Sequence, residues 1–221
     1  MLRPSALFPR IALALAMLTA CSSVDEDQEP SATSSACEEL LGSAGIEWLH
    51  SGTHDGESVR MGGRHSVAAA SSLFRGQVEN WTPGRKGIPS YAEAEVCTAA
   101  GPGGKVAIEY GPSILPFDSP ITGTTGAKLI ETPVSSDVRL LQRITDGNVE
   151  YVVFVTCKVP GTPAAQKNDV PLEGIMSDTL TGDASARTHF RHLLHSAQVM
   201  TDALDCENDP TVPGEPPASV K

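Results

Sequence analysis

The chain has 221 residues and a formal net charge of −11, with charged residues at 19% and aromatic residues at only 5%. A polyanion of this kind is repelled by nucleic acid and by anionic lipid head groups, which sets both aside as partners. Once the two ends are removed on composition, residues 37–206 are long enough for one ordinary domain with a workable core.

The first segment stands apart from that domain. Arg3 and Arg10 give it a positive start, residues 11–18 form a short apolar run, and Leu18-Thr19-Ala20-Cys21 closes it. The apolar stretch 11–21 is far shorter than the ~20 residues needed to cross a bilayer. Secretory signals end in small residues at the cleavage site. Here the small residues lead straight into a cysteine, which resembles the lipobox of bacterial lipoproteins. The resemblance implies that residues 1–20 are a lipoprotein signal peptide and that Cys21 carries a covalent diacylglyceryl lipid, its freed amine often acylated as well. It implies a membrane partner through that anchor and a place on the extracytoplasmic face. Several acyl chains make physical sense, since one chain of ~14 carbons holds a membrane only marginally. Loss of Arg3 and Arg10 with the signal takes the net charge from −11 to −13.

Residues 21–36 form an expected tether, with Asp25, Glu26, Asp27 and Glu29 among serines and Val24 as the only large aliphatic. Such a segment buries too little apolar surface to order itself. Residues 37–48 read as a helix: Leu40, Leu41 and Trp48 recur at helical spacing, and Gly42 and Gly45 weaken it. Residues 50–63 are polar and glycine-rich, with a short strand expected over 59–61. A second helix is expected over 65–81, where Val67, Ala70, Phe74, Val78 and Trp81 step by three or four before Thr82-Pro83-Gly84.

The period then changes to that of strands. Residues 91–98 and 105–110 alternate about Gly101-Pro102-Gly103-Gly104 and predict a hairpin. A weaker strand is expected over 127–132. A second hairpin follows at 138–144 and 149–159, turning at Asp146-Gly147-Asn148. Its run Val152-Val153-Phe154-Val155 suits a central strand covered on both faces. Residues 160–184 read as a long loop, punctuated by prolines and glycines. Residues 186–204 read as the strongest helix, with Phe190, Leu193, Leu194, Ala197, Met200 and Leu204 on one stripe. Residues 207–221, proline-rich and poor in apolar side chains, are expected to be a disordered tail. The fold class is therefore α+β: a mainly antiparallel sheet with helices at both ends.

With Cys21 assigned to the anchor, Cys37, Cys97, Cys157 and Cys206 remain, an even number suited to two disulfides in an oxidising compartment. Their separations of 60, 60 and 49 residues lack the close pairs of a structural zinc site. Four cysteines allow three connectivities. Chain order favours Cys37–Cys97 and Cys157–Cys206, each stapling a terminal helix to the sheet. Closing loops of this length stabilises by roughly 4 kcal/mol in the chain-entropy account.

Catalytic and metal motifs are not legible. Gly101-Pro102-Gly103-Gly104-Lys105-Val106 fails the phosphate-loop pattern at its first glycine and after its lysine, and it joins two strands. His50, His54, Asp55, Glu57 and His65 offer metal-ligand chemistry without a ligand spacing, so an exposed polar loop explains them. His189, His192 and His195 turn away from the apolar stripe and read as a solvated helix face. No Gly-x-Ser-x-Gly elbow occurs. No catalytic residue, metal ligand or further cofactor is therefore expected.

Four stretches together resemble uncharacterised actinobacterial surface lipoproteins. They are Leu18–Cys21, Cys37-Glu38-Glu39-Leu40-Leu41, Thr156-Cys157-Lys158-Val159-Pro160-Gly161, and His192-Leu193-Leu194-His195-Ser196-Ala197 with Ala203-Leu204-Asp205-Cys206. The resemblance implies location and architecture and brings no catalytic residue. The expected function is a binding, sensory or interaction module of the cell envelope, taking a small molecule or a protein as ligand. An envelope hydrolase with an unrecognised site is the alternative. Replacement Cys21→Ala is expected to abolish lipidation and leave uncleaved precursor. Mass spectrometry of membrane-extracted protein checks this, and an unmodified N-terminus elsewhere in the wild type contradicts it.

Overall fold

The structure, a computed structural model, describes residues 32–53, 58–84, 90–122 and 126–221. Cys21, His54, Asp55 and Glu57 lie outside these residues. Strand-period segments form β1 (Arg60–Gly62), β2 (Ala94–Gly101), β3 (Gly104–Pro112), β4 (Lys128–Pro133), β5 (Val138–Thr145), β6 (Asn148–Val155) and β7 (Leu172–Asp178). They make one sheet in the order β1-β2-β3-β7-β6-β5-β4, and every neighbouring pair is antiparallel. Helices α1 (Ala32–Gly52), α2 (Val67–Val78) and α4 (Ala186–Leu204) cover one face of it, and a single turn, α3 (Gln166–Asp169), precedes β7. The class is α+β, as expected.

Both hairpins form where the sequence alternates. Gly101 pairs with Gly104 at the first turn. Gly104 has φ 152°, and a Cβ there would lie 2.3 Å from the Thr179 carbonyl oxygen, so only glycine fits. The helix face of the sheet carries Val106, Ile108, Tyr110, Met176, Tyr151, Val153, Val155 and Leu140, all buried against α1, α2 and α4. On the other face, Phe117 packs on Leu141, Val152 and Phe154. The Arg139 guanidinium lies 5.5 Å from the Phe117 ring and 5.2 Å from that of Phe154, and it donates to the Ser119 carbonyl. The apolar run of β6 is thus covered on both sides.

Three expectations are corrected. Residues 160–184 contain β7, which pairs with both β3 and β6 at the middle of the sheet. Its helix-facing residues are Leu172, Gly174 and Met176, so one of the three inward positions has no side chain and the apolar alternation is hidden. The glycine is required: a Cβ at 174 would lie 2.4 Å from the Tyr110 ring and 3.0 Å from Val153. The approach to β7 is held by Gln166, fully buried, which accepts from the Val159 amide and donates to the Cys157 and Val170 carbonyls.

Residues 207–221 dock on the domain and do not stand off as a tail. Val212 and Val220 are buried, Glu207 pairs with Lys158, and Glu215 binds Arg191 and Arg187. Here a few apolar anchors and carbonyl acceptors, such as Pro217 for Arg187 and Val212 for Gln198, compensate for low hydrophobicity. Finally, α1 begins at Ala32, within the stretch read as tether.

Both disulfides pair as chain order favours: Cys37 with Cys97, joining α1 to β2, and Cys157 with Cys206, joining the end of β6 to the end of α4. Their Cα separations, 4.7 and 5.2 Å, lie in the usual disulfide range. Replacement Gly174→Ala is expected to cost about 1–3 kcal/mol through overpacking against Tyr110. Urea unfolding should show a lower midpoint with an unchanged slope.

Candidate functional site

The site grows from the junction of β7 and α4. After Asp178 the chain turns sharply. The Asp178 carboxylate accepts from the Leu180 amide at 2.7 Å, the Thr181 amide at 2.9 Å and the Thr181 hydroxyl. Ser185 then caps α4, its side chain accepting from the Thr188 amide. One helical turn later, His189 places Nδ1 2.7 Å from the Ser185 carbonyl oxygen and Nε2 2.9 Å from Asp178 Oδ2. A carbonyl can only accept, so Nδ1 carries a proton. Nε2 meets the carboxylate, so the ring is held from both sides. Both side chains are almost wholly buried, at 1% and 4% exposed. Burial opposes the Asp178 charge, but hydrogen bonds from His189, Thr181 and two backbone amides outweigh it and hold this carboxyl below its ordinary range.

Aromatic rings enclose the pair. Tyr151, from β6, stacks on His189 with centroids 4.2 Å apart and planes at 11°. Trp48, from α1, meets the same imidazole edge-on at 5.2 Å. The indole N–H of Trp48 donates to Asp183 Oδ2 at 3.2 Å, and Asp183 Oδ1 accepts from the Ser185 amide at 2.7 Å. Beside this cluster lies a cleft of about 370 Å³, bounded by Gln142 and Asn148 on the β5–β6 hairpin, Tyr151, Ser177, Asp178 and Asp183. Tyr151 is 3% exposed, and its hydroxyl has no hydrogen-bond partner among the described residues. Burial, with Asp178 and Asp183 nearby, pushes that hydroxyl up to about 12, so it stays protonated.

A general base needs a free lone pair within reach of a substrate proton. Both His189 nitrogens already have partners, one of them a backbone carbonyl. The cleft offers instead a phenolic hydroxyl, the Asp183 carboxylate and two side-chain amides. Those groups suit a ligand rich in hydroxyl or ammonium donors.

The sequence-level candidates fall out unevenly. The reading of His189, His192 and His195 as a solvated face is corrected: His189 and His192 are buried, and His195 is partly so. Helix α4 packs on the sheet with its apolar stripe and on α1 with its next face, so the buried arc is wider than the stripe. His192 stacks on Trp48 at 4.7 Å, and burial, then Arg191, His189 and His195, lower it to about 4 against the opposing pull of Asp183. Among the described residues, no group of three or more His, Cys, Asp or Glu is arranged to hold a metal. His50 and His65 are described without their neighbours His54, Asp55 and Glu57. Sequence reasoning missed Tyr151, Asp178 and Asp183. The one signal available was the spacing of Asp183 and Ser185 ahead of a strong helix, which reads as a cap and not as a site.

No family model, curated protein or solved structure matches the chain. Among the described residues no helix is long and apolar enough to cross a membrane.

The histidines make a pH prediction. His192 titrates near 6.5 when unfolded and near 4 when folded, so between these values the unfolded chain binds the extra proton. Stability should therefore fall as pH drops from 6.5 towards 4, by roughly 1–2 kcal/mol after allowance for the ring edge that meets solvent. In His192→Phe this slope should flatten. In His189→Gln, which removes one of the four groups around the Asp178 carboxylate, a loss of about 1–3 kcal/mol is expected at pH 7. Thermal and urea unfolding across pH check both.

Proposed function

We propose that this chain is a lipid-anchored protein of the cell envelope whose domain binds a small polar molecule in the cleft beside Tyr151. The observation that carries the reading is the contrast within the cleft wall. The His189 nitrogens are both occupied, while the adjacent Tyr151 hydroxyl is protonated, belongs to a residue of the cleft wall and has no partner among the described residues. A hydroxyl left open at a cleft is a place for a ligand or water to complete it. The Asp183 carboxylate and the Gln142 and Asn148 amides converge on the same space. The Leu18–Cys21 segment supports the anchor, and the excess of acid supports a ligand other than nucleic acid.

The test is saturation-transfer NMR with glucose, N-acetylglucosamine and ethanolamine as probes. At least one should bind saturably, and Tyr151→Phe should weaken it about fivefold, the value of one net hydrogen bond. Asp183→Asn should weaken an amine most. Binding that ignores both replacements would move the ligand elsewhere. Turnover of an ester, peptide or glycan, abolished by one side-chain replacement, would make the protein an enzyme instead.

A further inference from the structure

A second recess lies on the other side of Trp48, between α1, α4 and the docked C-terminal segment. We propose that it binds the anionic group of a small ligand, a carboxylate or a tetrahedral oxyanion, between the restart of α1 and the imidazoles of His192 and His195. The inference stands apart from the cleft beside Tyr151.

Helix α1 is two helical stretches in line. Gly42 breaks it with φ 60° and ψ −179°, a conformation open only to glycine, and the helix resumes at Ser43. The resumed stretch, 43–52, has its own N-terminus, where Ser43 and Ala44 are exposed. The first amides of a helix lack intrahelical acceptors and carry the positive end of its dipole. Ser43 and Ala44 line a recess of about 290 Å³, together with Gly42, Arg191, His192 and His195.

A helix N-terminus alone says little, and the second observation comes from α4. His192 is only 6% exposed, borders the recess and has no hydrogen-bond partner among the described residues; its ring face rests on Trp48. The glycines of α1 make room for these imidazoles. A Cβ at Gly42 would lie 2.9 Å from His195 Nε2, and one at Gly45 would lie 3.3 Å from His192 Nδ1. None of the residues lining the recess is acidic. At the rim, Arg191 is held by Glu215 at 2.7 and 3.2 Å, an exposed pair of small net value that an incoming anion can replace. Ser43 and Ala44 at the helix start, an imidazole with no partner among the described residues, a second imidazole and Arg191 therefore line one space. Their common complement is negative charge.

The test uses sulfate and acetate at pH 7 and constant ionic strength, with chloride as the reference, read by the imidazole ¹⁵N resonances of the full domain. Sulfate or acetate should shift the His192 and His195 resonances saturably, and whichever binds tells a tetrahedral from a planar group. His195→Gln should weaken the titration about tenfold, the value of a charge-assisted hydrogen bond. Glu215→Gln should strengthen it about threefold by freeing Arg191. Both positions are partly or fully exposed, and dispersed amide spectra confirm that the variants fold. Tyr151→Phe should leave the titration unchanged, so failure at either recess is distinguishable from failure at the other. Shifts no larger than those with chloride would overturn the proposal, as would titrations indifferent to both His195→Gln and Glu215→Gln.

Discussion

The contact between Asp178 and His189 ties the end of the central strand β7 to the first turn of α4, and both side chains have left water to make it. Polar groups of this kind are costly to bury unless their lone pairs and protons are satisfied. Here they are. The Asp178 carboxylate meets the Leu180 and Thr181 amides, the Thr181 hydroxyl and His189 Nε2, and His189 Nδ1 meets the Ser185 carbonyl. The same contacts fold the 179–185 turn, set the start of α4 and present a flat imidazole on which Tyr151 stacks and against which Trp48 stands. Both recesses inherit their walls from this arrangement. Histidine and aspartate here set the shape of the turn and of the wall against which the two rings pack.

Much of the fold was legible because it follows from period and punctuation. The β2–β3 and β5–β6 hairpins alternate about glycine turns, α4 carries an uninterrupted stripe, and the cysteines fall one to each element that needs joining. The middle of the sheet was not legible. Strand β7 places Gly174 where an apolar side chain would have revealed it, because the Tyr110 ring already fills that volume, and Pro171 and Glu173 give it the look of a loop. The candidate site was hidden for a related reason. Tyr151 sits inside an apolar strand, Asp178 and Asp183 lie in what reads as loop, and His192 is buried and His195 partly buried where α1 offers Gly45 and Gly42 opposite them. Each depends on a partner far away in the chain, and a one-dimensional pattern cannot show it.

The two disulfides divide the structure unevenly. Cys37–Cys97 fixes α1 to the short-edged side of the sheet, next to β1. Cys157–Cys206 fixes the C-terminal end of α4 beside the exit of β6, and Glu207 and Asn208 extend that junction with a pair to Lys158 and bonds to the Lys158 amide and the Thr156 carbonyl. Docking of residues 207–221 begins from this point. Placing Cys206 brings the anchors of the segment within reach of the domain, and the burial of Val212 and Val220 with the Glu215 ion pairs offsets the cost of about 1–2 kcal/mol for each backbone residue ordered.

Trp48 contacts a residue of each recess: its indole N–H meets Asp183, which lines one, and its ring stacks on His192, which lines the other. The chain has two tryptophans, and the other, Trp81, sits just beyond α2. An indole stacked on an imidazole and bonded to a carboxylate has an emission that responds to the polarity and charge of either neighbour. The domain thus carries its own optical reporter in contact with a lining residue of each recess, and occupancy on either side can be followed by fluorescence without attaching any dye.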